Sequence, residues 1–81
     1  VEPRHRPIPR GEHNRLAEFL KAVRLKHGGK QAEICGRLGR PQSYLSRLES
    51  GEQELRVLEL IDICRAMGID PARFLEEFLG L

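Results

Sequence analysis

No stretch of A, V, I, L, M, F, W, Y or C in this chain exceeds two residues. A membrane span needs about 20 predominantly apolar positions, and a secretory signal an apolar stretch of about 7 to 15. Neither export nor membrane insertion is therefore expected. Cysteine is scarce too, with only Cys35 and Cys64, both inside apolar-periodic segments. Small secreted domains commonly offset a thin core with several disulfides, so a reducing, cytoplasmic setting fits better, with both thiols as small core residues. The chain also has no HExxH or CxxC signature, no glycine-rich phosphate loop, and no nucleophile with a base or paired carboxylates at a catalytic spacing. His5, His13 and His27 are scattered, and with the two cysteines they do not approach a zinc-ligand spacing. No enzymatic activity, cofactor, metal or small-molecule ligand is expected.

Eighty-one residues suit one small domain. Apolar residues make up 40% and charged residues 32%, which allows a compact core and excludes the collagen-like, low-complexity and disordered classes. The formal net charge of +2 is too small to imply a polyanionic partner, so its distribution matters more. Residues 1–13 carry a net +1, residues 14–54 a net +3 and residues 55–81 a net −2. A basic front and an acidic back orient the chain so that a polyanion meets its first two thirds.

Residues 1–13 interleave Pro3, Pro7 and Pro9 with Arg4, Arg6 and Arg10, which predicts an extended, flexible arm ahead of a domain over 14–81. From Asn14 the pattern changes. Leu16, Phe19, Leu20 and Val23 follow the i, i+3, i+4, i+7 spacing of one helical face, predicting a first helix from about Asn14 to Lys26. His27, Gly28 and Gly29 end it. A short second helix is expected from Gln31 to Leu38, burying Ile34, Cys35 and Leu38. Gly39, Arg40 and Pro41 then form a turn, because the residue before proline is pushed out of helical space. The third helix runs from Pro41 or Gln42 to Glu49 or Ser50, with Leu45 and Leu48 inward. Gln42, Ser43, Ser46 and Arg47 point outward by the 3.6-residue period. A fourth helix, from about Arg56 to Met67, is expected to bury Val57, Leu60, Ile61 and Cys64. Asp70 and Pro71 supply an N-cap and a first-turn proline for a fifth helix carrying Phe74, Leu75, Phe78 and Leu79. Five short helices with no strand signal make an all-α domain.

The stretch QAEICGRLGRPQSYLSRLES, residues 31–50, places two short helices around a glycine turn, the helix-turn-helix spacing. Cys35 is small where the second helix must pass close to the third. Ile34, Leu38, Leu45 and Leu48 form the apolar seam beneath both. Residues 14–80 resemble the Cro/C1-type (XRE-like, lambda repressor-like) helix-turn-helix regulators of bacteria and phages. Gln31 stands where that family commonly opens its second helix with glutamine. SYLSRLESGE, residues 43–52, is similar to the family's recognition-helix ending, and LELIDICRAMGIDP, residues 58–71, resembles its fourth helix and following turn. Two departures stand out. Lys30 and Pro41 replace the usual Ser or Thr N-caps, so the second and third helices start without a side-chain oxygen acceptor. Arg40 occupies a turn position that is normally apolar, which leaves two uses for it: solvent exposure or reach toward a phosphate.

The resemblance implies sequence-specific binding of double-stranded DNA, with helix 42–49 in the major groove and repression of transcription as the expected outcome. It implies base contacts from Gln42, Ser43, Ser46 and Arg47. Among these, the Gln42 carboxamide suits adenine and the Arg47 guanidinium suits guanine O6 and N7. Phosphate contacts would come from Gln31, Arg40, Tyr44 and Ser50, which fix register rather than sequence. Arg24 and Glu49 are expected to form a structural ion pair tying the third helix to the first. One small domain rarely binds a half-site tightly enough alone, so a homodimer on a pseudo-palindromic operator is expected. Phe74, Phe78, Leu79 and Leu81 are the candidate interface, with burial in their own bundle an equal alternative. The rival reading is a protein-interaction module, antitoxin-like or partner-docking, on the same scaffold. An acidic face on the third helix would favour it, and Gln42, Ser43, Ser46 and Arg47 include no acid.

Overall fold

The computed structural model describes residues 10–81. Helix α1 spans Arg10–Lys26, starting four residues before the expected Asn14. Residues Arg10 to His13 contain no apolar side chain, so hydrophobic periodicity carries no signal there. The turn is nonetheless held on the polar side, where Glu12 pairs with Arg15 through bonds of 2.9 and 3.4 Å. The arm expected over 1–13 is thus helical from residue 10, and its remaining residues, 1–9, lie outside the described residues.

Helices α2 (Gln31–Leu38), α3 (Gln42–Glu49), α4 (Val57–Met67) and α5 (Pro71–Leu79) follow, so that the described residues form an all-α arrangement of five helices. Helix α2 packs on α3 and α4, α1 on α3, and α5 on α4. The shared core is built from Leu20 and Val23 of α1, Ile34 and Cys35 of α2, Leu45 and Leu48 of α3, Leu60, Ile63 and Cys64 of α4, and Phe74 of α5. Each of these buried aliphatic side chains contributes about 1.5–3 kcal/mol relative to an exposed position.

The expected inward set on α4 needs correction. Val57 is 70% exposed, Ile61 is half-buried, and Ile63 is fully buried instead. Val57 is the first residue of α4 and projects at the end of the helix beyond its neighbours. Leu60, Ile63 and Cys64, one turn further in, form the stripe that meets α2 and α5. Leu38, expected to be inward, is half-buried against the core. No helix among the described residues is long and apolar enough to cross a membrane.

Candidate nucleic-acid interface

Gly39 determines the angle between the two motif helices. At φ 70° it occupies the left-handed region, which an L side chain enters at a cost of about 1–2 kcal/mol. Its N–H donates to the Gly36 carbonyl at 3.3 Å and the Arg40 N–H donates to the Cys35 carbonyl at 2.9 Å. This paired pattern closes the last turn of α2. Close approach of α2 and α3 follows from the small Cys35 side chain, whose sulfur lies 4.0 Å from the Gln42 carbonyl oxygen. Neither helix has a side-chain N-cap, as the sequence predicts for Lys30 and Pro41. At α2 the Glu33 carboxylate compensates in part by accepting from the Lys30 N–H at 3.1 Å.

With Leu45 and Leu48 buried beneath α3, the period of the helix turns Gln42, Ser43, Ser46 and Arg47 to solvent. All four residues expected to contact bases therefore share one accessible face. Glu49, the acid of α3, is only 6% exposed and points into the protein. Its carboxylate accepts two bonds from Arg24 of α1, from Nε at 2.6 Å and Nη2 at 2.9 Å. Arg24 Nη1 donates to the Gly29 carbonyl at 3.0 Å. The hydrogen bond to Glu49 holds the Arg24 pKa above its ordinary value against the opposing effect of burial. The expected ion pair is present, buried and bidentate.

Gln31, half-buried at the start of α2, joins this pair. Its Nε2 donates to Glu49 Oε1 at 3.0 Å, and its Oε1 accepts from Gln42 Nε2 at 3.3 Å. A connected line thus runs from the interior at Arg24 to the exposed amide of Gln42. Among the described residues no buried side-chain nitrogen or oxygen lacks a partner.

The other three residues expected at phosphates behave differently. Arg40 is exposed and its guanidinium lies over the Tyr44 ring, 4.6 Å from the centroid, which restrains a long side chain that would otherwise be free. Burial pushes the Tyr44 hydroxyl pKa up, and Glu59 adds to the effect. The Tyr44 ring is the platform on which the Arg40 guanidinium lies. Ser50 is exposed but its hydroxyl is used locally. It donates to the Arg47 carbonyl at 3.1 Å and accepts from the Glu52 N–H at 3.3 Å, closing the end of α3.

The four expected interface residues of the C-terminal end, Phe74, Phe78 and Leu79 of α5 and Leu81 after it, also separate. Phe74 is 1% exposed and is a core residue, so it has no surface to offer a partner. Phe78 is half-buried, with its ring 5.5 Å from that of Phe19 and the Arg15 guanidinium 4.0 Å above it. Leu79 and Leu81 are exposed, as is Leu75. Three further ties were missed in the sequence: Gln31 to Glu49, Arg15 to the Phe78 carbonyl at 3.3 Å, and Arg37 to the Ala66 carbonyl at 2.6 Å. Each joins residues distant in sequence, and no local spacing marks them. Arg37 in particular places a cation at the C-terminal end of α4, where the helix dipole favours it.

A helix-turn-helix family model matches residues 20–74 of the chain. Among solved structures, the chain is similar to an XRE-family like protein from Pseudomonas syringae pv. tomato str. DC3000. The two are 37% identical over 86% of this chain and 85% of that one, with a TM-score of 0.79. It is also similar to the clp gene regulator ClgR from C. glutamicum, at 28% identity over 93% of this chain and 94% of that one, with a TM-score of 0.76. A search of curated proteins finds no match. The chain belongs to the XRE-type helix-turn-helix family, a class of DNA-binding transcription regulators.

Proposed function

We propose that the protein binds a specific double-stranded DNA operator by inserting α3 into the major groove, and that it represses transcription by occupying that site. The observation that carries this reading is the composition of the exposed α3 face. Gln42, Ser43, Ser46 and Arg47 stand outward while the helix's acid, Glu49, is neutralised inside by Arg24. Gln42 suits adenine and Arg47 suits guanine, each good bidentate contact being worth about 1–3 kcal/mol of discrimination. Arg40, restrained on Tyr44, and Gln31 are assigned to phosphates flanking the groove, with Ser50 in a lesser role. The gene-regulator title of the C. glutamicum neighbour supports a regulatory role. A partner-docking role on the same scaffold lacks the acidic α3 face that would favour it.

The protein is assigned as a homodimer on a pseudo-palindromic operator, with the exposed Leu75, Leu79 and Leu81 of the C-terminal end as the self-association surface. The test is a binding titration of the purified chain against operator and random duplexes across a salt series. Arg47→Ala is expected to lose preference at one base pair. Arg40→Ala is expected to weaken binding to all duplexes alike and to lower the salt slope by about one. Base selectivity unchanged in Arg47→Ala would remove that residue from the reading.

A further inference from the structure

An open groove runs beside the start of α3, lined by Lys21 and Arg24 of α1, by Lys30, Gln31 and Ala32 where α2 begins, and by Gln42 of α3. Its lining holds three cations and no carboxylate, but the three charges are used differently. Arg24 is buried and paired with Glu49. Lys21 and Lys30 are exposed, and neither forms an ion pair among the described residues. The fold brings these two lysines together from different elements. Lys21 precedes Arg24 by three residues and shares its side of α1. Arg24 Nη1 holds the Gly29 carbonyl at 3.0 Å, which fixes the backbone next to Lys30. Gln31, which follows Lys30, touches Gln42 at 3.3 Å. The two exposed ammonium groups therefore stand at the edge of the surface assigned to DNA, at the end where α3 begins. In the major groove the base edges lie between two phosphate strands, so a base met by Gln42 has phosphates alongside it. An ammonium is a compact point charge with three rotatable donors, which suits a phosphate without a fixed approach geometry.

We propose that Lys21 and Lys30 clamp one phosphate strand of the operator in this groove, beside the base pair read by Gln42. The proposal rests on the reading of α3 as the base-contacting helix. It brings α1 into the DNA interface through Lys21, a residue that neither the helix-turn-helix spacing nor the outward face of α3 marks.

The test is a binding titration of the full chain on a selected operator and on a random duplex across a salt series. Lys21→Ala and Lys30→Ala are each expected to make the slope of log affinity against log salt shallower by about 0.9, on both duplexes alike, and the double variant by about 1.8. Lys21→Arg keeps the charge and is expected to keep the wild-type slope. Lys26→Ala removes an exposed lysine of α1 that lies outside this groove and is expected to leave the slope little changed. Base preference is expected to stay as in the wild type throughout, because phosphate contacts carry no sequence information. A single methylphosphonate, which removes one phosphate charge, locates the contact. Placed beside the base pair whose preference Gln42→Ala abolishes, it is expected to weaken the wild type and to leave the double variant unaffected. A slope unchanged in either lysine-to-alanine variant overturns the clamp. An equal fall in Lys26→Ala overturns it too, since that marks a general field effect, as does equal sensitivity of the wild type and the double variant to that methylphosphonate. If Gln42→Ala alters preference at no base pair, the base-contact reading itself fails, an outcome that the lysine slopes do not depend on.

Discussion

Arg24 and Glu49, 25 residues apart in sequence, meet through the Nε–Nη2 edge of the guanidinium and both carboxylate oxygens, at 2.6 and 2.9 Å, inside the protein. The pair joins the long first helix to the last turn of α3, so the helix proposed to enter the major groove is anchored at one end by charge and along its length by Leu45 and Leu48. Removing one partner leaves the other as a buried unpaired charge, which destabilises by about 3–5 kcal/mol. Arg24→Ala is therefore expected to lower the melting temperature by more than about 10 °C, given about 4–8 °C per kcal/mol in a domain of this size. Arg65→Ala, on an exposed face of α4, is the control and is expected to change it little. Equal melting temperatures for the two variants would show that the pair contributes nothing to stability.

Gly51 and Gly36 predict opposite signs for the same substitution. Gly51 has φ +82°, and a Cβ there would lie 2.9 Å from Asn14 Oδ1. Gly36 lies within α2, and a Cβ would meet no atom within 4 Å. Gly51→Ala is expected to destabilise by at least about 1 kcal/mol. Gly36→Ala is expected to stabilise by about 0.5–1 kcal/mol through helix propensity and a less flexible unfolded chain. Urea midpoints of the two variants check both signs.

Much of this architecture is legible from apolar spacing. Leu16, Phe19, Leu20 and Val23 mark the inner face of α1, and the glycines after α1, α2 and α4 mark where those helices stop. The start of α1 is not legible, because residues 10–13 carry no apolar side chain and so give no periodic signal. Val57 satisfies the correct period but sits at the end of α4, where a helical face no longer has a neighbour. At the site, outward positions on α3 follow from the same period, and resemblance supplied the Arg24–Glu49 pair. The Gln31 link between Glu49 and Gln42 depends on how α2 packs on α3, which no local spacing in the sequence marks.

Burial pushes the Cys64 thiol pKa up from the usual value of 9.0 to about 11, with Asp70 adding to the effect. Below pH 9 the thiol is neutral in both folded and unfolded chains and this contribution is fully present. Between pH 9 and 11 the unfolded chain gives up the proton while the folded one keeps it, so stability falls as pH rises. Wild-type protein is expected to lose more stability between pH 8 and 10.5 than Cys64→Ala does, measured by urea unfolding. A difference of zero would mean that the thiol ionises alike in both states.

Leu79 is 60% exposed and Leu81 89% exposed at the C-terminal end, whereas Phe78 is engaged by Phe19 and Arg15. Leu79→Asp therefore tests the proposed self-association surface with less damage to the domain's own packing than Phe78→Asp. It is expected to give a folded monomer in sedimentation, with weaker operator binding and a shallower slope of log affinity against log salt. A folded variant that still dimerises moves the interface elsewhere, with the Val57–Leu58 surface as the next place to test.

The central claim is sequence-specific DNA binding through the outward face of α3, and selection of binding sites from random duplex DNA tests it most directly. The wild-type chain is expected to enrich a half-site repeated with two-fold symmetry, its centres about one helical turn, roughly 10 base pairs, or a multiple of that apart. The same selection with Arg47→Ala is expected to recover sites that have lost their preference at one position of each half-site. A folded wild-type protein that enriches no sequence over the starting pool would contradict the account.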